Sequence, residues 1–272
     1  MSEHKHTGQV VTTHWDPNQY LKFSDHRLRP AIELLDRIPL ESPKVIFDLG
    51  CGAGNVTRII ADRWKSAQVY GLDKSRDMLQ KAQLEPEKIQ WVEADIENWI
   101  PDEAPDLIYS NATLQWVKGH RELFPRLVGF LRPGGCLAVQ MPLSWEVTSH
   151  RLMRETLADG GRRGSPLGTE ELRKTMARKW VEESEVYYDL LAGKAESLDI
   201  WETEYLQVLQ GDDPVLEWVQ GTALRPVLNG LADDEREIFL NEYSQRLRKA
   251  YPVRPDGCTI YPFRRLFIVA LV

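Results

Sequence analysis

The residues with the clearest chemical potential form a glycine-rich turn between a predicted strand and a predicted helix. The stretch DLGCGAG (residues 48–54) follows an apolar run and precedes a helical pattern that starts at Asn55. Glycines let the backbone turn sharply and let a ligand approach it, and the next helix N-terminus offers unpaired amides. The turn therefore predicts a ligand site, although structural turns also use glycine.

The spacing of the glycines argues against a pyrophosphate ligand. Gly50, Gly52 and Gly54 alternate, whereas the dinucleotide fingerprint places its third glycine one position later, at Asn55 in this chain. The Gly-Lys-Ser/Thr ending of a nucleoside triphosphate loop is also missing from this turn. These features disfavour an NAD-dependent oxidoreductase, which we keep as the alternative from another enzyme class.

Acidic residues end the next two predicted strands. Asp73 can accept both hydroxyl hydrogens of a ribose, and Asp95 can accept from the exocyclic amine of a purine that Ile96 flanks. Ligands of open α/β sheets bind at the carboxyl ends of the strands, so these residues predict an adenosine site. Asp48 adds a negative charge that favours a cationic end on the cofactor over a pyrophosphate. S-adenosylmethionine has this combination.

Alternating strand and helix signals must position these residues. Five apolar strands separated by amphipathic helices predict a doubly wound, mostly parallel α/β sheet covered on both faces. The predicted strands are 44–50, 67–73, 89–95, 106–112 and 136–142, and the predicted helices are 28–38, 55–64, 76–84 and 121–131.

The alternation breaks after residue 142. Residues 143–197 and 213–251 have helical patterns, and we expect both segments to cap the sheet. Strands predicted at 201–210 and 264–272 would complete a seven-stranded sheet, with the last strand inserted antiparallel. We expect residues 1–14 to be a flexible lead-in and residues 15–272 to form a single domain.

Composition excludes several classes of function. The chain has 272 residues, 34 Lys and Arg against 41 Asp and Glu, and a net charge of −7. This balance gives no broad attraction for nucleic acids or anionic lipids. The longest apolar run, LFIVALV, is far shorter than the roughly 20 residues of a membrane-spanning helix. We expect a soluble cytoplasmic protein whose partner is a small molecule, with no nucleic acid, membrane or obligate protein partner.

The remaining metal-binding and thiol residues give no sign of a site. Three separate cysteines without a CxxC pair are typical of reduced thiols, and the early histidines have no recurring ligand spacing. We therefore predict no metal. These residues are Cys51, Cys136, Cys258, His4, His6 and His14.

Several segments resemble a known family. DLGCGAGN (48–55), GLDKS (71–75), EADI (93–96) and SNATLQWV (110–117) are similar to successive motifs of class I methyltransferases. A closer resemblance, to the trans-aconitate 2-methyltransferase family, extends from residue 15 to residue 272. Its segments are WDPNQYLKFSDHRLRPAIELLDRIPL, ELFPRLVGFLRPGG, AVQMP, LMRE, YYDLL, LRPVL and RLFIVA.

This resemblance implies a Rossmann-like fold and S-adenosylmethionine as cofactor, with S-adenosylhomocysteine as product. The implied cofactor-binding residues are Asp48, Gly50, Cys51, Gly52, Asp73, Lys74, Asp95, Ile96 and Asn111. Trp116, whose indole donates one hydrogen bond and accepts none, is a candidate substrate contact on its own chemistry. The other substrate candidates match basic and aromatic positions of the family: Tyr20, Arg29, Tyr188, Arg225 and Arg265.

The implied reaction is transfer of a methyl group to a carboxylate of trans-aconitate or a similar small polycarboxylate. A carboxylate is ionised at pH 7, so the reaction needs positioning and no general base, and we predict no catalytic acid or base. His120 and His150 are expected to be surface or packing residues, with His150 within reach of the substrate. The alternatives are a methyltransferase for another acid or secondary metabolite, on O, N or C, and a binding protein without turnover.

Overall fold

A seven-stranded sheet forms the centre of the computed structural model, which describes residues 24–83, 88–221 and 223–272. Residues with β-branched, aromatic and aliphatic side chains dominate its strands, as expected for strands buried on both faces. The strands are β1 (Val45–Leu49), β2 (Gln68–Asp73), β3 (Gln90–Glu93), β4 (Leu107–Asn111), β5 (Cys136–Pro142), β6 (Ser197–Leu209) and β7 (Thr259–Leu271).

The strand order is β3-β2-β1-β4-β5-β7-β6. Strands β1 to β5 pair in parallel, whereas β7 lies antiparallel between β5 and β6. The chain winds outward in one direction through β2 and β3 and in the other through β4 and β5. Such a reversal leaves a crevice at the carboxyl ends of β1 and β4, where open α/β sheets bind their ligands.

Within the described residues, four helices accompany the parallel strands, and six more belong to the segments before and after β6. The first four are α1 (Ser24–Asp36), α2 (Asn55–Arg63), α3 (Arg76–Ala82) and α4 (His120–Phe130). Between β5 and β6 lie α5 (Thr148–Asp159), α6 (Glu170–Met176) and α7 (Ser184–Leu191). Between β6 and β7 lie α8 (Pro214–Gln220), α9 (Arg225–Gly230) and α10 (Asp233–Ala250). Across the described ranges, none of the helices has the length and apolarity needed to cross a membrane.

Successive residues of β1 point to opposite faces of the sheet and enter different cores. Phe47 belongs to the apolar cluster that includes Phe124 of α4, whereas Ile46 belongs to the cluster that includes Leu35 of α1. A third core joins α5, α8 and α10 to the end of the β6–β7 pair, where Phe263 is buried. Helices α5, α8 and α10 are therefore anchored to β6 and β7 by their own apolar cluster.

The structure confirms the doubly wound sheet and the antiparallel insertion of the last strand. It corrects the lengths of the last two strands, because β6 and β7 pair over 13 residues each and continue past the region of apolar sequence. It also places Pro30 well inside α1, which begins at Ser24, instead of in a first turn. Residues 1–14 and the start of the domain at residue 15 lie outside the described residues, and the single-domain division stays a prediction.

Candidate active site

A cavity of about 1500 Å³ lies over the carboxyl ends of the parallel strands. Its volume exceeds the range of about 300–1000 Å³ that is usual for one small ligand, so two ligands can share it. Every predicted cofactor-binding residue lines this cavity: Asp48, Gly50, Cys51, Gly52, Asp73, Lys74, Asp95, Ile96 and Asn111.

The turn after β1 requires glycine for steric reasons. Gly50 and Gly54 have φ of 77° and 81°, a region that side-chain-bearing residues rarely adopt. An added Cβ would lie 2.1 Å from the Thr113 side chain at Gly50 and 2.4 Å from Trp91 at Gly54. Gly52 also has positive φ, but no atom lies within 4 Å of an added Cβ there. Packing thus explains two glycines, whereas Gly52 leaves bare backbone beside the cavity.

Asp73 joins the end of β2 to this turn. Its Oδ2 accepts a hydrogen bond from Gly52 N at 2.9 Å, and its Oδ1 accepts from Ser75 N at 2.8 Å. A carboxylate has about four lone-pair sites, so two backbone bonds leave capacity for ligand hydroxyls. Asp73 therefore braces the turn and faces the cavity at the same time.

Asp48 is a buried carboxylate at the base of the cavity. It is 3% exposed and accepts a hydrogen bond from Thr57 Oγ1 at 2.6 Å. Burial, with a smaller contribution from the negative charge of Asp73, raises the pKa of Asp48 to about 7 against the lowering effect of the Thr57 hydrogen bond. A cation in the cavity would relieve this penalty, so the electrostatics fit a ligand with an ammonium or sulfonium group.

Two buried oxygens at the end of β4 support a ligand that donates hydrogen bonds. Asn111 Oδ1 and Gln115 Oε1 line the cavity and have no hydrogen-bond partner among the described residues. Ala112 between them has φ of 53°, a strained conformation for a residue with a Cβ. The acceptors of Asp48 and Asn111 together suit an amino acid ammonium, which has three N–H donors.

Trp116 stands on a short 3-10 turn, Leu114–Trp116, that a buried histidine holds. His120 is 3% exposed, and its two ring nitrogens bond Leu114 O at 2.9 Å and Tyr187 Oη at 2.6 Å. Burial lowers the pKa of His120. The turn presents Trp116 to the cavity with 54% of its surface exposed, and His120 itself is a packing residue.

Basic side chains line the cavity on the side of β5 and β7, away from the acidic residues of β1 to β3. Arg265 of β7 is 5% exposed and donates from Nη1 to Gln140 Oε1 at 3.0 Å. Arg225 lines the cavity at the start of α9, and Arg264 pairs with Glu202. The predicted substrate residues Trp116, Arg225 and Arg265 therefore share one cavity with the cofactor candidates.

Two predicted substrate residues do not line the cavity. Arg29 pairs with Glu33 at 2.7 Å on its own helix and stacks on the Tyr205 ring, 5.0 Å from its centroid. Tyr188 is 57% exposed on α7, because the buried position of that turn belongs to Tyr187. The sequence pattern YYDLL did not say which tyrosine faces inward. Tyr20 lies outside the described residues.

Sequence reasoning missed the cavity residues Trp145 and Arg154 in the segment after β5. His150, which was expected to be a surface or packing residue within reach of the substrate, also lines the cavity. The only sequence signal was LMRE, which marks Arg154 as part of a familiar segment without indicating its contacts. Burial, together with the positive charge of Arg154, lowers the pKa of His150 to about 4. The imidazole is therefore neutral at pH 7.

Comparisons with known proteins agree with this geometry. A family model described as "Methyltransferase domain" matches residues 47–139, which include the end of β1, the glycine turn and β2 to β4. A phosphoethanolamine N-methyltransferase 2 of Haemonchus contortus, solved in complex with S-adenosyl-L-methionine, has a similar fold. The TM-score is 0.51 at 15% identity, over 89% of this chain and 52% of that one.

Curated relatives match almost the whole chain. The trans-aconitate 2-methyltransferase of Pseudomonas paraeruginosa is 44% identical over 258 residues, covering 95% of this chain and 94% of the relative. That of Streptomyces avermitilis is 47% identical over 264 residues, covering 94% and 96%. The similarity covers almost all of both chains, so this chain belongs to the trans-aconitate 2-methyltransferase family.

Proposed function

We propose that this protein transfers the methyl group of S-adenosylmethionine to a carboxylate of trans-aconitate or a closely similar polycarboxylate, forming a monomethyl ester. One observation carries the proposal: a single cavity has carboxylates at one end, among them the buried Asp48, and arginines at the other, among them the buried Arg265. Full-length similarity to proteins named for trans-aconitate supports the choice of substrate.

The sheet order separates these charges. The carboxylates follow the adjacent strands β1, β2 and β3, and the arginines come from β7 and from the segments after β5 and β6. The loop after β4, with Asn111, Gln115 and Trp116, lies between the two ends. Lys74 and Lys81 also line the acidic end, and Glu202 at the basic end is paired with Arg264.

The residues fit the cofactor's separate parts. Asp73 and Asp95 would accept from the ribose and the purine amine, and Ile96, which is 7% exposed, would pack on the ring. Asp48 and Asn111 would accept from the amino acid ammonium. When bound, the cofactor supplies an electrophilic methyl group on a positively charged sulfur.

This chain then has to orient and desolvate the acceptor carboxylate. Removing a carboxylate from water is costly unless other donors replace the solvent, and guanidinium and indole groups provide them. Arg225, Arg265 and Trp116 are placed to do so. The acceptor is already ionised at pH 7, so proton removal contributes nothing and alignment accounts for the rate.

The proposal includes a cytoplasmic setting and small-molecule substrates, without nucleic acid or an obligate protein partner. The free thiols of Cys51, Cys136 and Cys258 support a reducing compartment. The described residues contain no group of His, Cys, Asp and Glu arranged to hold a metal ion. Cell fractionation with an antibody against the chain tests the location.

The deciding experiment is incubation with S-adenosylmethionine and a panel of di- and tricarboxylic acids, with methyl esters detected by mass spectrometry. A mass gain of one methylene on trans-aconitate, together with S-adenosylhomocysteine, supports the proposal. If only other acids or amines gain the mass, the alternative methyltransferase is correct. If the cofactor binds but no acceptor reacts, the protein is a binding module.

A further inference from the structure

Arg154 is a half-buried cation in the cavity whose hydrogen bond and ring contact are both with Trp145. Burial lowers the pKa of Arg154, and the nearby charges of Glu146 and Glu155 oppose that shift. The Arg154 guanidinium carbon lies 4.2 Å from the Trp145 ring centroid, and Nη2 donates to Trp145 O at 2.9 Å. It forms no ion pair with any carboxylate among residues 24–83, 88–221 and 223–272. A planar fork with several N–H groups still available is a typical site for a bidentate carboxylate.

Trp145, which contacts Arg154, has further contacts of its own. Trp145 Nε1 donates to Ala177 O at 3.3 Å, and the Lys179 ammonium lies 6.0 Å from the ring centroid. The Trp145 side chain therefore connects the loop after β5 with the segment after α6. The backbone carbonyl of Trp145 orients Arg154. Stacking and a fixed hydrogen bond reduce the entropy that the arginine loses when it binds an anion.

His150 lies one helical turn before Arg154 on the same face of α5. Its Nδ1 contacts Ser149 Oγ at 3.2 Å, and Ser149 Oγ contacts Tyr261 Oη at 2.9 Å. Ser149 is the one hydrogen-bond partner of the imidazole within the described part of the chain. If the hydroxyls of Tyr261 and Ser149 donate in sequence, the ring hydrogen stays on Nε2, where it can serve a ligand in the cavity.

We propose that Arg154 and His150 form a subsite for a substrate carboxylate other than the one that receives the methyl group. The inference rests on the proposed function and adds a requirement to it. The cofactor residues lie at the carboxyl ends of β1 to β4, whereas α5 follows β5, so the subsite lies on the β5 side of them. A carboxylate held by both arms of a guanidinium also has its lone pairs engaged, which makes it a poor nucleophile.

The subsite makes Arg154 a specificity-determining residue. A monocarboxylate would occupy the reacting position and leave Arg154 without its anion. A polycarboxylate fills both positions, which fixes the orientation of the acceptor. The monomethyl ester keeps the anchoring carboxylate and loses the negative charge at the reacting position.

The test compares Arg154→Gln with wild type on trans-aconitate and on three analogues that each lack a different carboxylate: cis-glutaconate, itaconate and mesaconate. Dissociation constants are measured by isothermal titration in the presence of S-adenosylhomocysteine, so no turnover is needed. We expect binding of trans-aconitate to weaken about 10- to 100-fold, as for loss of a charged hydrogen-bonded pair. One analogue, the one without the anchored carboxylate, should bind both proteins equally.

Arg151→Gln is the matched control on the same helix. Arg151 is exposed, pairs with Glu155 at 2.6 Å and does not line the cavity, so this change should leave all four constants within twofold. Arg154→Lys keeps the charge without the fork and should recover part of the affinity. His150→Gln should weaken binding of trans-aconitate less than Arg154→Gln does.

The outcomes distinguish failure of the subsite from failure of the proposed function. If wild type esterifies trans-aconitate and Arg154→Gln binds all four anions as wild type does, the subsite is wrong and the function stands. An equal loss on all four anions also overturns the subsite, since it indicates a general structural effect. If wild type neither binds nor esterifies any of these acids, the proposed function and the subsite both fail.

Discussion

The backbone N–H of Gly52 donates to Asp73 Oδ2 at 2.9 Å, which ties the glycine turn after β1 to the end of β2. The other carboxylate oxygen accepts from Ser75 N at 2.8 Å. The same side chain that we assign to the ribose therefore also holds the turn against which the cofactor lies. Binding and preorganisation of the site are coupled through one residue.

Replacement of Asp73 should weaken cofactor binding, and Asp73→Ala should weaken it more than Asp73→Asn. Asp73→Asn keeps one carbonyl oxygen and should weaken binding of S-adenosylhomocysteine moderately. Asp73→Ala loses both the ribose acceptor and the brace on Gly52, and we expect a loss of about 30-fold or more. Isothermal titration measures both. Asp62→Ala, an exposed change on α2, is the control. An unchanged dissociation constant of S-adenosylhomocysteine for Asp73→Ala would contradict the role of Asp73 in the site.

The affinity for the cofactor should depend on pH through Asp48. Its pKa is raised to about 7, so the free protein carries a neutral carboxyl group at low pH and a carboxylate at high pH. A cationic ligand binds the carboxylate form better. The affinity for S-adenosylhomocysteine should therefore rise as the pH increases through 7, and Asp48→Asn should bind weakly without this dependence. Parallel pH profiles for the two proteins contradict the assignment.

Ionisation of Asp48 should lower the stability of the ligand-free protein as the pH rises, whereas it raises the affinity for the cofactor. A carboxyl group with a raised pKa contributes most to stability below its unfolded value of about 4, and this contribution is lost as the pH rises through the folded value of about 7. As the pH is raised from 5 to 8, the free energy of unfolding of Asp48→Asn should increase relative to that of wild type by on the order of a few kcal/mol. Urea denaturation of the ligand-free proteins at both pH values measures this gain.

Trp116 should contribute to substrate binding and not to cofactor binding. Trp116→Phe keeps an aromatic ring on the turn but removes the indole N–H, so KM for the carboxylate should rise about 3- to 10-fold. The dissociation constant of S-adenosylhomocysteine should not change. Kinetics and titration on the same preparation check both values. Equal KM values for the variant and wild type would return Trp116 to a packing role.

The buried pair His120 and Tyr187 should hold the turn that carries Trp116. Tyr187→Phe removes the hydroxyl that bonds the imidazole at 2.6 Å, and it should lower the free energy of unfolding by about 1–3 kcal/mol. His120→Leu also removes the bond to Leu114 O and should cost more. Because the two residues share one bond, the double variant should cost less than the sum of the single variants. Strict additivity in urea denaturation would contradict this coupling.

The sequence alone determined the parallel sheet and the acidic end of the cavity. Those features depend on short-range order, because a strand, a glycine turn and a helix follow one another within about ten residues. Asp48, Asp73 and Asp95 each come at a strand end, and parallel strands bring their carboxyl ends to one edge without further information. Their convergence was therefore predictable from alternation and spacing.

Only the tertiary structure decided which arginines line the basic end of the cavity. Arg265 reaches the cavity because β7 inserts antiparallel beside β5, while Arg29 pairs with Glu33 and stacks on Tyr205. Arg154 enters from α5, whose orientation is set by an apolar cluster with β7, α8 and α10, far away in the chain. Contacts between distant segments select which arginines face the ligand, and a local pattern of charges carries no information about that selection.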